Sequence, residues 1–254
     1  MLKVEDVSKS FGGLTAVADV SLDLADNKIT GLVGPNGSGK STLFHIITGF
    51  YKADNGWVLF GDKPIQDLQP DAISRLGLVR TFQQTRVLPF LSVRDNLLAV
   101  APDQLGENII PVFSRPHTIG RQERENRRRA DEILDLMKLG HLADRPADEL
   151  SYGQERLLEL ARVLICRPKL VLLDEPTAGV NPSLIRQIVE LIQQLKAQGI
   201  RFFLVEHNMP LVAELCERVL VMDAGRLIFD GSPEAAQRDH AVIEAYLGKS
   251  RETA

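Results

Sequence analysis

Residues 29–42 read Ile-Thr-Gly-Leu-Val-Gly-Pro-Asn-Gly-Ser-Gly-Lys-Ser-Thr, and this stretch decides the fold. Ile29–Val33 is a compact apolar run that predicts a buried strand, and a helix is predicted to begin at Lys40. The residues between them match the pattern G-x-x-x-x-G-K-[ST] in the strand–loop–helix context that this motif requires. Such loops turn backbone N–H groups towards phosphate, and the following helix adds a partial positive charge. A glycine-rich turn without a ligand is the alternative.

The motif assigns roles to its side chains. Lys40 is expected to reach the β- and γ-phosphates of a nucleotide, and the Ser41 hydroxyl is expected to bind Mg²⁺. The predicted nucleotide-binding residues of this loop are Gly34, Pro35, Asn36, Gly37, Ser38, Gly39, Lys40, Ser41 and Thr42.

A second apolar strand ends in two carboxylates. Residues 170–176 read Leu-Val-Leu-Leu-Asp-Glu-Pro. Two charges at the end of a buried strand are costly unless they meet a cation or hydrogen-bond donors. Beside a phosphate loop the natural cation is Mg²⁺, so Asp174 is predicted to hold the metal and Glu175 to polarise the attacking water. Acidic capping of a helix N-terminus is the alternative.

A third motif lies between these strands. Residues 148–159 read Asp-Glu-Leu-Ser-Tyr-Gly-Gln-Glu-Arg-Leu-Leu-Glu, and the apolar positions that follow recur at helical spacing until Pro168. Ser151 and Gln154 have the spacing of a capping box, which predicts that a helix begins here. Capping does not explain Gly153, because glycine is a poor residue for a first helical turn.

The composition is that of an ordinary globular protein, with 44% apolar and 25% charged residues among 254. The net charge of −4 gives no general argument for nucleic-acid or acidic-membrane binding. Cys166 and Cys216 lie far apart, which predicts free thiols in a reducing compartment. The charged N-terminus does not resemble a signal peptide. No apolar run approaches the ~20 residues that cross a bilayer, so we expect any membrane role to depend on a partner.

The phosphate loop, LSYGQ and LVLLDEP, in this order, resemble the nucleotide-binding subunit of ATP-binding cassette (ABC) transporters. The resemblance covers almost the whole chain, and LSYGQ is similar to the family signature. It implies that the signature of one subunit faces ATP held by the phosphate loop of another. Ser151 would then donate its hydroxyl, Gly153 would allow close approach, and Gln154 would be among the nucleotide contacts. ATP and Mg²⁺ are the implied cofactors, and the implied partner is a homologous second ATPase subunit or a second copy.

The resemblance also implies roles for three further residues. Gln83 matches a glutamine that senses Mg²⁺ and water, with Gln84 or a plain polar loop as alternatives. Phe11 matches the aromatic residue that stacks on adenine, and a core aromatic residue is the alternative. His207 matches the switch histidine that contacts the γ-phosphate, which makes it a predicted catalytic residue together with Lys40 and Glu175.

The resemblance implies an α/β fold: a P-loop NTPase core with a mainly parallel sheet, an N-terminal antiparallel β subdomain and an inserted α-helical subdomain. Strands that alternate with helices agree with this expectation. The chain is predicted to be one nucleotide-binding domain. Its ATPase core would span about 1–84 and 166–240, its helical subdomain about 85–165, and its tail 241–254. Ser92 is predicted to cap a helix. Further helices are predicted at Arg121–Leu139, Leu184–Leu195 and Ala241–Leu247, with a long loop over residues 100–120.

Two features depart from the family pattern. Tyr152 stands where most members have glycine, and Asn181 stands where aspartate is usual. LSYGQ, the insert at 101–129 and the ending at 241–248 resemble the subgroup that takes up branched-chain or hydrophobic amino acids.

The subgroup implies transmembrane permease subunits, contacted through Val87-Leu-Pro-Phe-Leu91, and indirectly a solute-binding protein. It also implies no nucleic-acid partner and a cytoplasmic location, peripheral on the inner face of the cell membrane. Related systems for urea or amide uptake or lipopolysaccharide export, and a non-transport ABC ATPase acting on nucleic acid or ribosomes, are alternatives. A P-loop kinase or GTPase does not explain LSYGQ.

Overall fold

The computed structural model describes residues 1–24, 28–81, 87–104 and 116–247. Gln83 therefore lies outside the described residues. The strands are β1 (Leu2–Phe11), β2 (Leu14–Leu24), β3 (Ile29–Val33), β4 (Asn55–Phe60), β5 (Lys63–Pro64), β6 (Leu78–Arg80), β7 (Leu170–Asp174), β8 (Arg201–Val205), β9 (Arg218–Asp223) and β10 (Arg226–Gly231).

The helices follow the strands in a mixed order along the chain. They are α1 (Lys40–Ile47), α2 (Pro70–Arg75), α3 (Val93–Leu98), α4 (Pro116–Leu136), α5 (Tyr152–Ile165), α6 (Pro182–Ala197), α7 (Met209–Leu215), α8 (Pro233–Ala236) and α9 (His240–Leu247). Among the helices of the described ranges, none is long and apolar enough to span a bilayer.

The chain divides into two compact units. The first unit contains Met1–Arg80, Lys169–Ala178 and the described chain from Ile185 onward. The second unit contains the described residues of Thr81–Pro168 together with Gly179–Leu184. The boundaries predicted for the helical subdomain lie near residues 84 and 166. The grouping of the short segment Gly179–Leu184 with the second unit was not predicted.

The first unit contains two sheets. The N-terminal sheet has the strand order β2-β1-β4-β5 and is antiparallel. The larger sheet has the order β10-β9-β3-β8-β7-β6. Its strands from β9 to β6 are parallel, and β10 joins the edge as the antiparallel arm of a hairpin. The predicted α/β fold with a mainly parallel sheet is confirmed.

Both sheets and α1 contribute to one hydrophobic core in the first unit. Fully buried side chains come from β1 (Leu2), β3 (Leu32), α1 (Phe44) and β8 (Phe203). The rings of Phe44 and Phe203 are 5.0 Å apart between centroids. Because α1 belongs to this core, the loop that precedes it is held at a fixed place on the sheet.

The second unit is helical in its described part, as predicted. Val93 and Leu97 of α3, Leu134 of α4 and Leu158 of α5 are buried. The predicted cap at Ser92 is confirmed, because its side chain accepts a hydrogen bond from the N–H of Asp95.

Several predicted helix boundaries were wrong by a few residues. α4 begins at Pro116, inside the loop predicted over residues 100–120, because proline is accepted in the first turn of a helix, and α6 ends at Ala197 and not at Leu195. α4 ends at Leu136 and not at Leu139, because Lys138 adopts a left-handed conformation with a φ of 59°. The N–H of Leu139 then donates to the carbonyl of Leu134 at 2.7 Å, which is a Schellman ending. α6 begins at Pro182, two residues before the prediction, because Asn181 accepts a hydrogen bond from the N–H of Leu184 at 2.9 Å and caps the helix.

Candidate functional site

Several motifs meet at one edge of the parallel sheet. The phosphate loop follows β3, Asp174 and Glu175 lie at the end of β7, and His207 lies two residues beyond β8. β3, β8 and β7 are parallel neighbours, so their carboxyl ends lie at the same edge. In open α/β sheets, ligands bind outside the carboxyl ends of the strands.

The phosphate loop needs glycine at two places where the backbone packs closely. Gly34 has a φ of 147°, and a Cβ atom there would lie 2.1 Å from the carbonyl oxygen of Met222. Gly39 has a φ of 102°, and its Cβ would lie 2.3 Å from the carbonyl oxygen of Ala16. A side chain at either position would push the loop away from the strands that hold it.

The ammonium group of Lys40 lies inside the loop that precedes it. Its Nζ atom donates to the carbonyl oxygens of Gly34 at 2.8 Å and Pro35 at 2.9 Å, and to the Ser38 hydroxyl at 3.3 Å. Among the described residues, no side chain caps the N-terminus of α1, and the first turn of this helix has no acidic residue. A helix N-terminus without a side-chain cap, next to a buried cation, fits an anionic ligand such as phosphate.

Asp174 is buried at the end of β7 and pairs with an arginine. Its Oδ2 atom accepts a hydrogen bond from Nη2 of Arg80 at 2.5 Å. Arg80 was not among the site residues predicted from the sequence.

The oxygen donors at this edge fit a magnesium ion. Among the described residues no group of three or more His, Cys, Asp or Glu side chains is placed to hold a metal. Mg²⁺ does not need one, because it is usually bound through one or two carboxylates together with phosphate oxygens and water. The Asp174 carboxylate and the Ser41 hydroxyl both offer oxygen atoms that could bind Mg²⁺ beside the phosphates.

Glu175 and His207, both predicted from the sequence, are in contact. Nε2 of His207 lies 2.8 Å from Oε1 of Glu175. The N–H of Glu175 donates to the carbonyl of Val205 at 3.0 Å, which fixes the carboxylate at the end of β8. A carboxylate held by an imidazole at a nucleotide site can accept a proton from water.

Glu206 is a buried residue that the sequence analysis missed. Its Oε1 atom accepts hydrogen bonds from the hydroxyl of Thr177 at 2.6 Å and from the N–H of Thr177 at 3.2 Å. Its Oε2 atom accepts from the N–H of His207 at 3.2 Å. One carboxylate therefore holds both the turn after Glu175 and the backbone of His207. The sequence offers one indication of the role of Glu206, namely a charged residue that directly follows an apolar strand.

In the second unit the predicted capping box at the start of α5 is confirmed. The N–H of Gln154 donates to Oγ of Ser151 at 3.4 Å, and the N–H of Ser151 donates to Oε1 of Gln154 at 2.9 Å. Gly153 has a packing reason as well, because a Cβ atom there would lie 2.8 Å from Cδ2 of Leu184.

Tyr152 is held by a neighbour on the same helix. Its hydroxyl accepts hydrogen bonds from Nε and Nη2 of Arg156 at 3.1 and 2.9 Å. A Cβ atom on Gly179 would lie 3.3 Å from this hydroxyl. The two departures from the family pattern thus have local roles: Tyr152 packs beside Gly179, and Asn181 caps α6.

Phe11, the residue predicted to stack on adenine, is the last residue of β1. Phe11 is 41% exposed, so the alternative that it belongs to the core is wrong. Its ring meets Tyr51 edge to face at 5.3 Å, and Nζ of Lys9 lies 5.5 Å from its centroid.

Burial raises the pKa of Tyr246 on α9, while a hydrogen bond with the backbone of Gly34 acts in the opposite direction. The C-terminal helix therefore reaches the phosphate loop, which no local pattern indicated.

The segment predicted to contact a permease carries exposed apolar side chains. Phe90 is 91% exposed, and Leu88 and Leu91 are also exposed. Asn96, fully buried in the second unit, accepts from the N–H of Leu88 at 2.7 Å and donates to its carbonyl at 3.0 Å. A buried amide therefore fixes the backbone of an exposed apolar segment.

The loop, the acidic strand end and the parallel sheet define a P-loop nucleotide-binding protein. More narrowly, the chain belongs to the ABC transporter family, whose sequence model matches residues 17–178. A second model, described as branched-chain amino acid ATP-binding cassette transporter, matches residues 226–252. The chain is therefore an ATP-binding cassette ATPase.

Curated relatives match over nearly the whole chain. The chain is 41% identical over 248 residues to a probable branched-chain amino acid transport ATP-binding protein LivG of Archaeoglobus fulgidus, covering 98% of this chain and 95% of the relative. It is 37% identical to the high-affinity branched-chain amino acid transport ATP-binding protein LivG of Escherichia coli K12, covering 98% of both.

Solved structures of cassettes have the same fold. The ADP conformation of an ATP-binding cassette of an ABC transporter matches with a TM-score of 0.82 at 38% identity, over 98% of both chains. A dimeric cassette in a post-hydrolysis state with ADP and Pi matches with a TM-score of 0.75 at 26% identity, over 92% of this chain and 99% of that one.

Proposed function

We propose that this chain hydrolyses ATP to drive an importer of branched-chain or hydrophobic amino acids, as one of two cassettes on a membrane permease. The observation that carries the proposal is the shared sheet edge, where the phosphate loop, Asp174 and the Glu175–His207 pair follow parallel neighbouring strands. The substrate class is supported by the names of the LivG relatives and by the model that matches residues 226–252.

The chemistry follows from the positions of these groups. Lys40 and the backbone of residues 34–39 bind the phosphates. Glu175 accepts a proton from the attacking water, and His207 orients Glu175 and contacts the γ-phosphate. Ser41, Asp174 and Gln83 would hold Mg²⁺. When bound, the ion offsets negative charge on the phosphate oxygens.

A second subunit completes the site in this proposal. Ser151, Gly153 and Gln154 at the start of α5 face the γ-phosphate of ATP held by the partner cassette, and Phe11 stacks on adenine. The exposed N-terminus of α5 and the dimeric state of a related cassette support this arrangement. The partner is a different homologous cassette or a second copy, and the assembly lies on the cytoplasmic face of the membrane.

Contact with the permease is assigned to the exposed segment at Leu88, Phe90 and Leu91. Apolar side chains on a surface are characteristic of interaction sites, and the buried Asn96 keeps this segment in one conformation. A solute-binding protein would deliver the amino acid to the permease. Nucleic acid has no role in this proposal, which agrees with the net charge of −4.

Replacing Glu175 with Gln tests the ATPase chemistry. We expect Glu175→Gln to keep ATP binding and to lower the hydrolysis rate by about 10²–10⁴-fold, because the amide cannot accept the proton of the water. Nucleotide binding is measured with a fluorescent ATP analogue and hydrolysis by phosphate release. The control is Glu214→Gln, which changes an exposed carboxylate on α7. Full activity of Glu175→Gln would remove Glu175 from this role.

Co-purification from gently solubilised membranes tests the transport role. We expect two polytopic membrane proteins and a second cassette ATPase to co-purify with the tagged chain. The reconstituted complex should hydrolyse ATP faster when its solute-binding protein carries leucine, isoleucine or valine than when urea is supplied. Ribosomal or nucleic-acid partners in place of membrane proteins would overturn the importer assignment and leave the ATPase chemistry intact.

A further inference from the structure

Arg80 places a fixed positive charge beside the carboxylate of Asp174, which is proposed to hold Mg²⁺. It is the last residue of β6 and pairs in register with Leu172 of β7. Alternate residues of a strand face the same side, so Asp174 projects on the same side as Leu172. Register alone therefore places the guanidinium of Arg80 beside Asp174.

The contact between these two side chains is buried. Nη2 of Arg80 lies 2.5 Å from Oδ2 of Asp174, and the two side chains are only 6% and 2% exposed. Nε and Nη1 of Arg80 find no hydrogen-bond partner within the described residues. Asp174 is thus the principal partner of a charge that burial would otherwise make costly.

Arg80 also contacts the helix that follows the phosphate loop. Its guanidinium carbon lies 5.7 Å from the ring centroid of Phe44 on α1. Arg80 therefore contacts both β7 and α1, the two elements that flank the proposed metal position.

We propose that Arg80 is a positioning residue that serves as the counter-cation of Asp174 in the absence of Mg²⁺ and weakens Mg²⁺ binding by competing for the same carboxylate. This inference rests on the proposed function, in which Asp174 holds the metal. Arginine does not lose its proton in proteins, so its charge persists when the divalent ion approaches.

Two effects of removing the charge act in the same direction. Without Arg80 the metal-free protein loses a buried ion pair with Asp174, so its free energy rises. The Mg²⁺-bound protein loses a repulsion between two cations, so its free energy falls. Both changes favour Mg²⁺ binding, whereas a residue that simply supported the site would give the opposite result when removed.

The experiment measures Mg²⁺ affinity without turnover. Binding of a fluorescent non-hydrolysable ATP analogue is titrated with Mg²⁺, and the melting temperature is recorded without metal or nucleotide. For Arg80→Met we expect a lower melting temperature and a Mg²⁺ midpoint lowered by about tenfold. Arg80→Gln, which keeps a hydrogen-bond donor, should also lower the Mg²⁺ midpoint, and it carries the test if Arg80→Met does not fold. Arg80→Lys keeps the charge, and we expect its midpoint to stay within about threefold of the wild type.

Arg218→Met is the matched control. Arg218 pairs with Asp230 at 2.6 Å on the β9–β10 hairpin, so its loss should affect stability but not the Mg²⁺ midpoint. An unchanged or raised midpoint in both neutral Arg80 variants would overturn the proposal and leave Arg80 a structural residue. Wild-type protein that binds the analogue with no dependence on Mg²⁺ would instead overturn the assigned metal site.

Discussion

Glu175 has a backbone conformation that residues with side chains rarely adopt. Its φ is 49°, which costs on the order of 1–3 kcal/mol for a residue other than glycine. The N–H bond to Val205 and the contact with His207 hold it in place. Two residues further on, Thr177 attaches the turn to Glu206. The position of the proposed general base thus depends on a small set of hydrogen bonds.

Thr177→Val should destabilise the protein by about 1–3 kcal/mol, because it removes the hydroxyl that donates to a buried carboxylate. The free energy of unfolding is measured by urea denaturation. Thr177→Ser is the control, since it keeps the hydroxyl, and we expect most of the stability to return. Unchanged stability of Thr177→Val would show that the hydrogen bond to Glu206 does not stabilise this turn.

At the scale of the element, the start of α5 has two separable roles. Ser151→Ala removes the cap and should cost about 1 kcal/mol of stability. If Ser151 also faces ATP on a partner cassette, the same change should spare ATP binding by the single chain and weaken ATP-driven dimerisation. Dimerisation is measured by sedimentation in a Glu175→Gln background, so that ATP is not consumed. Ser151→Thr should restore the cap. An unchanged dimerisation constant in Ser151→Ala would mean that Ser151 only caps the helix and does not contact ATP on a partner.

The elements with strong local signals were predictable from the sequence. The apolar runs at β3 and β7, the caps at Ser92 and Ser151 and the helix near the C-terminus each follow from neighbouring residues. Two of the helix boundaries that were wrong depended on Lys138, a lysine in a left-handed conformation, and on Asn181, whose capping role was not predicted.

The side-chain pairings within the site were not predictable in the same way. Arg80 and Asp174 are 94 residues apart, and Thr177 and Glu206 are 29 apart. Tyr246 reaches Gly34 across most of the chain. Such contacts result from strand register and packing, which no periodicity in one sequence reveals. Glu175 was predictable from the apolar strand that ends in two carboxylates, whereas His207 was predictable only through the family resemblance.

At the scale of the whole molecule, the two cysteines are free thiols, as predicted. Burial raises the pKa of Cys216 to about 12, and burial also raises that of Cys166. The thiolate is the reactive form, so a raised pKa leaves little of it at pH 8.

In native protein at pH 8 we therefore expect Cys216 to resist iodoacetamide, while both thiols react in urea. Mass spectrometry of the alkylated peptides measures this. Modification of Cys216 in native protein at the rate seen in urea would contradict its burial.

The strand order of the parallel sheet has a consequence for folding during translation. β3 lies between β8 and β9, with Ile29 paired to Phe202 and Thr30 paired to Arg218. About 170 further residues must be translated before the first of these neighbours exists, which takes roughly 10–30 seconds at ordinary elongation rates. During that interval the nascent chain carries Lys40 without the strands that flank β3. A nucleotide can therefore stabilise this protein only after β8 and β9 have been translated.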